Sequence, residues 1–190
     1  MELTDLVKEI KACTICADYL PLGPRPCLTA DTKAKVMIVG QAPGTKVHAS
    51  GIPWDDKSGE LLREWLGVTN EEFYNPELFA IVPMGFCYPG KGKSGDLPPR
   101  QECAPLWHDK LLDNMPDIKL TILIGQYAQN YYLQNKAGKN LTETVMNYHR
   151  YLPHYLPLPH PSPRNRFWLK KNPWFKADVL PVLKQMIANL

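Results

Sequence analysis

Cys13 and Cys16 have two residues between them, and Cys87 and Cys103 form a second, wider pair. A C-x-x-C turn brings two thiolates to one metal site. Two distant thiolates would complete a four-sulfur set for zinc or an iron–sulfur cluster. Spacing alone leaves another reading open, in which Cys87 and Cys103 are simply small buried residues, since cysteine packs well in apolar interiors. Cys27 has no counterpart and reads as a free thiol. Five cysteines, an odd count, argue against a disulfide framework in a chain with no secretory signal pattern, so a cytoplasmic location is expected.

The second chemical feature is GQAPG at 40–44, directly after the apolar run VMIV. A strand entering Gly-x-x-Pro-Gly builds a tight loop against a phosphate, a metal or a base. A dinucleotide loop is excluded, because Pro43 stands where G-x-G-x-x-G needs small residues with free N–H groups. A P-loop fails as well. Gly85, Gly90 and Lys91 have its spacing, but Gly92 replaces the Mg²⁺-binding hydroxyl; shifting the register to Lys93 and Ser94 puts Cys87 in the place of the first glycine.

These residues need a scaffold, and the hydrophobic pattern predicts one. Apolar runs at 36–40, 78–83, 120–125 and 155–160 read as buried strands, the last limited to a sheet edge by its prolines. Helices are predicted at 2–12, at 58–67 with Ser58 as N-cap and Gly67 as stop, at about 100–114, over QYAQNYYLQ, at 140–149 and from 176 onward. Alternation of this kind indicates an α/β fold with an open, mostly parallel sheet covered on both faces. Sites in such sheets lie at the carboxyl ends of the strands, where GQAPG, PMGFC, GQYAQ and HPSPRN are all expected to converge. The 190 residues read as a single domain, with 44% hydrophobic and 22% charged residues, as in ordinary globular proteins. No run is long enough for a membrane span, and a net charge of +3 is too small to argue nucleic-acid binding from the total.

Taken together, GQAPG, then Gly51-Ile52-Pro53-Trp54, then Gly59-Glu60-Leu61-Leu62, then His160-Pro-Ser-Pro-Arg-Asn165, resemble the motifs of the uracil-DNA glycosylase superfamily. The order of the cysteines is similar to that of its iron–sulfur branch, family 4. The HPSPRN stretch looks most like the single-strand-selective uracil glycosylases. The resemblance implies a three-layer α/β/α sandwich around a central four-stranded, mostly parallel sheet. It also implies a [4Fe–4S] cluster on Cys13, Cys16, Cys87 and Cys103, with zinc as the alternative and loss of the cluster on purification as a further possibility. The implied activity is that of a monomeric, monofunctional DNA glycosylase. It would cut the N-glycosidic bond of uracil or another deaminated base flipped from DNA, as in base excision repair.

Chemistry assigns expected roles within that reading. Trp54 suits stacking on a flipped base, and His160 suits donation to the base oxygen on which negative charge develops. Gly40, Ala42, Pro43 and Gly44 form the loop around the base, and Ser162 belongs to the second motif. Beyond it, Arg164, Asn165, Arg166 and Lys170 are DNA-contact candidates, with Phe167 as an apolar wedge; Trp168, Trp174 and Phe175 divide between wedge and core. Lys91, Lys93 and Arg100 offer a second basic loop. Departures from the family are chemical ones. Gln41 stands where family 4 has an acid, Ala42 where others carry Asp or Asn, Val47 and His48 where it has an acidic pair, and Pro83 where it has a base-reading Asn. Gln41, His48 and Asp56 are therefore the candidates for handling the water, with Asp55 and Asp56 otherwise reading as turn residues with an N-cap role. A non-catalytic reader of single-stranded or damaged DNA is the alternative, and a zinc-stabilised interaction module a third.

Overall fold

The computed structural model describes residues 2–190. In chain order the helices are α1 Leu3–Lys11, α2 Thr45–Ser50, α3 Lys57–Leu66, α4 Asn70–Phe73, α5 Cys103–Asp113, α6 Gln126–Leu133, α7 Leu141–Met146, α8 Arg166–Lys171 and α9 Leu180–Ala188. The strands are β1 Val36–Val39, β2 Phe79–Ile81, β3 Leu120–Ile124 and β4 Tyr155–Leu158. They form one parallel sheet in the order β2-β1-β3-β4. The fold is the expected α/β sandwich.

Strand side chains alternate between two apolar layers. Met37, Val39, Ala80 and Leu123 pack with Leu6 and Ile10 of α1 and Trp107 and Leu111 of α5. Val36, Ile38, Ile122 and Leu156 pack on the other face with Leu62 and Trp65 of α3, Phe175, and Leu183 of α9. Burial on both faces explains why the strands read as continuous apolar runs. Pro157 lies in β4, at the sheet edge, where a missing N–H costs no ladder bond to an outer neighbour.

Helix boundaries differ from expectation in an informative way. The cap of α3 is Asp56, whose side chain accepts from the Gly59 N–H at 2.9 Å, and Ser58 lies inside the helix. An aspartate at N-cap also faces the positive end of the helix dipole. Gly67 closes α3 in the left-handed conformation, as expected. Helices α2, α4 and α8, which the pattern did not predict, have too few residues to show a period in the sequence. The segment around 140–149 divides into α7 and a 3₁₀ turn at Tyr148–Arg150, and a π turn at Phe175–Val179 precedes α9.

Candidate active site

Trp54 is the organising residue at the carboxyl end of the sheet. Its φ of +60° puts a bulky aromatic in the left-handed region, at a strain of about 1–3 kcal/mol. Surrounding contacts fix it there. The Tyr74 hydroxyl donates to the Pro53 carbonyl at 3.0 Å, and Arg63 donates to the Trp54 carbonyl at 3.4 Å. A Cβ on Gly59 would stand 1.8 Å from the Trp54 oxygen, and one on Gly40 would stand 2.9 Å from Trp54 Cζ2. Both motif glycines thus make room for one tryptophan. Across from the indole lies His160, with ring centroids 5.5 Å apart and planes tilted by 32°.

Between these groups opens a cavity. Gln41, Ala42, Gly44, Trp54, Asp56 and His160 are half-buried lining residues, while Cys27, Gly40, Pro43, Val47, Pro53, Ile81 and Pro83 are buried ones. Polarity is therefore concentrated toward the solvent side. Asp56 is the one carboxylate lining the cavity. Burial pushes the His160 imidazole below its ordinary range, while the charge of Asp56 pulls the other way. His160 is consequently neutral near pH 7, with one ring N–H to donate.

The second motif is braced from within. Asn165 Nδ2 donates to the His160 carbonyl at 2.8 Å, as does the Ser162 N–H at 2.8 Å. Ser162 Oγ accepts from the Arg164 N–H at 3.2 Å, capping the turn. Ser162 and Asn165 therefore hold the His160 loop and do not line the cavity. His48 also lies outside it. The His48 carbonyl receives the Arg25 guanidinium, and its ring stands 6.3 Å from that of Tyr88. Three of the four strand-end loops meet at the cavity. The GQYAQ turn does not, because Gln129 is buried and clamps the Leu123 and Leu158 carbonyls at 3.2 and 2.9 Å.

Basic and apolar side chains frame the mouth. Residues 90–97 form a small hairpin, with Gly92 N–H to Gly95 O at 2.7 Å and Leu97 N–H to Gly90 O at 2.8 Å. Gln41 Nε2 reaches the Leu97 carbonyl at 3.5 Å. The Arg164 guanidinium lies 3.0 Å from where a Gly95 Cβ would be. Lys91 and Lys93 on the hairpin, and Arg164, Arg166 and Lys170 beyond His160, are exposed. Phe167 is 66% exposed, with the Arg166 guanidinium 5.4 Å from its ring centroid. The other aromatics turn inward: Trp168 donates to Thr142 Oγ1 at 2.8 Å, Trp174 packs beside it, and Phe175 is fully buried. Arg100 instead pairs with Glu102 and covers the Tyr19 ring at 4.4 Å.

Elsewhere, Cys13, Cys16, Cys87 and Cys103 line one common cavity with Leu20, Phe86, Trp107 and Arg100. Burial, foremost, pushes the Cys87 thiol up to about 12 and that of Cys103 up to about 11. Four thiols are a soft donor set suited to iron–sulfur or zinc chemistry. Among the described residues, no three His, Cys, Asp or Glu side chains are grouped closely enough to hold one metal ion.

The family model of the uracil DNA glycosylase superfamily matches residues 28–184. The chain belongs to that superfamily. A solution NMR structure of a candidate uracil DNA glycosylase from Methanosarcina acetivorans is similar to it at 16% identity and a TM-score of 0.47, covering 85% of this chain and 98% of that one.

In this superfamily member, Cys27 and Ile81 are the cavity walls that sequence reading missed, while Val47 and Pro83, which stand where family 4 has an acid and a base-reading Asn, line the cavity as well. Cys27 is a wall of the cavity and not an isolated thiol.

Proposed function

We propose that the chain is a monofunctional DNA glycosylase that hydrolyses the N-glycosidic bond of uracil or a related deaminated base turned out of DNA. The observation carrying this reading is the cavity that opens between Trp54, His160 and Asp56 under a basic rim. A flipped base seats beside the indole, and His160 donates its ring N–H to the base oxygen as the glycosidic bond lengthens. Asp56 spends Oδ1 on the Gly59 N–H, and its second oxygen is left to orient a water toward the sugar carbon. Gln41 cannot accept a proton; its amide, tethered to Leu97, fixes the GQAPG loop against the hairpin. Lys91, Lys93, Arg164 and Lys170 hold phosphates, and exposed Phe167 fills the gap left in the base stack.

On the same reading, Cys13, Cys16, Cys87 and Cys103 hold a [4Fe–4S] cluster, placing the protein near family 4. When bound, such a cluster supplies a covalent tie between the chain after α1, the loop after β2 and the start of α5. The activity is tested by incubating uracil-containing DNA with the protein and cleaving abasic sites with alkali. Retained DNA affinity without strand cleavage on any deaminated base favours a reader that binds without excising.

A further inference from the structure

The hairpin at residues 90–97 stands between the two motifs at the cavity mouth. Its Leu97 carbonyl receives Gln41 of the first motif, and Asp96 Oδ2 lies 3.6 Å from where a Gly44 Cβ would be. Gly95 meets Arg164 of the second motif. Beyond the hairpin an open groove runs between Tyr19, Leu22, Tyr88, Lys91 and Leu97. Thr45 lines it too, directly after cavity-lining Gly44, so groove and cavity share one loop.

Three large apolar side chains are left bare along this path. Tyr19 is 65% exposed, Leu22 55% and Leu97 43%. Arg100 covers one side of the Tyr19 ring, its guanidinium 4.4 Å from the centroid and held by Glu102. The other side is open to solvent. The turn that carries the ring is fixed, with Tyr19 N–H bonded to Cys16 O at 2.9 Å and Gly23 N–H to Leu20 O at 3.0 Å. A ring already held in place loses little entropy when another ring stacks on it. Charge along the path favours a polyanion. Lys46, Lys91, Lys93 and Arg164 are exposed, against Asp18 and Asp96, while Arg100 and Glu102 neutralise each other.

Building on the base-pocket reading above, we propose that Tyr19 is a stacking platform for an unpaired base of the strand flanking the flipped nucleotide, which makes single-stranded DNA the preferred substrate. The strand leaves the cavity across the hairpin, its phosphates near Lys91 and Lys93, and one base lies on the free face of Tyr19. In a duplex each base is paired and stacked on its neighbours, so no base face is available to the ring. An apolar peptide would cover Leu22 and Leu97 but leave the lysines unused.

The test compares native protein, Tyr19→Ala and Tyr19→Phe in anisotropy titrations. The probe is a labelled oligonucleotide with central uracil on 2′-fluoroarabinose, which resists hydrolysis, either free or annealed to its complement. A second probe carries an abasic analogue at the centre. The free strand should bind more tightly than the duplex. Tyr19→Ala should weaken the free strand by about fivefold or more, as loss of one base–aromatic stack does, with Tyr19→Phe within about twofold of native. Duplex binding should be nearly unchanged in both variants. Irradiation of native protein with 5-iodouracil at flanking positions should give an adduct on Tyr19, located by peptide mass mapping.

A duplex bound as tightly as the free strand, or weakened equally by Tyr19→Ala, overturns the proposal. Unchanged free-strand binding by Tyr19→Ala also overturns it, and leaves the base pocket standing where uracil still outbinds the abasic analogue. Should that variant fail to fold, crosslinking of the native protein decides, and absence of a Tyr19 adduct overturns the proposal. Uracil bound no more tightly than the abasic analogue overturns the base-pocket reading and this inference with it.

Discussion

The indole of Trp54 lies so close over Gly40 that a Cβ there would stand 2.9 Å from Cζ2. The first glycine of GQAPG is thus explained by contact with an aromatic wall and by no phosphate. Gly40→Ala should push Trp54 from its position and cost about 1–3 kcal/mol of stability, as overpacking does. Base excision should fall at least tenfold, measured at a temperature where the variant remains folded. Wild-type activity in Gly40→Ala would show that the position of Trp54 is not needed.

Asp56 has two jobs that substitution can separate. Asparagine caps a helix about as well as aspartate, so Asp56→Asn should leave the unfolding midpoint nearly unchanged. Asp56→Ala should lose about 1 kcal/mol through the cap to α3. Both should reduce excision by roughly 100-fold if the carboxylate orients the water. Full activity in Asp56→Asn would remove it from the chemistry.

Two histidines, buried His108 and half-buried His160, set a pH dependence. Burial depresses His160, and it brings His108 down to about 4. In the unfolded chain each takes up a proton near pH 6.5, while the folded protein resists it. Their stabilising contribution is therefore full above about pH 6.5 and is lost as pH falls toward the folded values. For His108 the loss by pH 4 is on the order of 3 kcal/mol. Urea unfolding at pH 7, 5.5 and 4 should show the decline, and His108→Gln should flatten it.

The four cysteines predict colour. Protein purified without oxygen should be brown and contain iron and acid-labile sulfide, and Cys87→Ser should lose most of both. A colourless, zinc-loaded protein would contradict the cluster.

Much of the scaffold was legible because each strand is buried on both faces and so reads as an apolar run. The four cysteines singled out by spacing, Cys13, Cys16, Cys87 and Cys103, line one cavity. His48 was misplaced because α2, only six residues long, has no visible period to show which way it faces. The GQYAQ loop looked like the others, but Gln129 spends its amide on the backbone of β3 and β4. Cys27 carried no motif signal, since it reaches the cavity only through contacts between segments far apart in sequence.

The central claim is excision of a base beside Trp54 and His160. It is tested most directly by single-turnover release of uracil from a single-stranded oligonucleotide, read as alkali-labile strand cleavage, for the native protein and for His160→Ala. Cleavage at the uracil that falls at least 100-fold in His160→Ala is the predicted result. No cleavage at uracil, hypoxanthine or xanthine by native protein that still binds the DNA would contradict it.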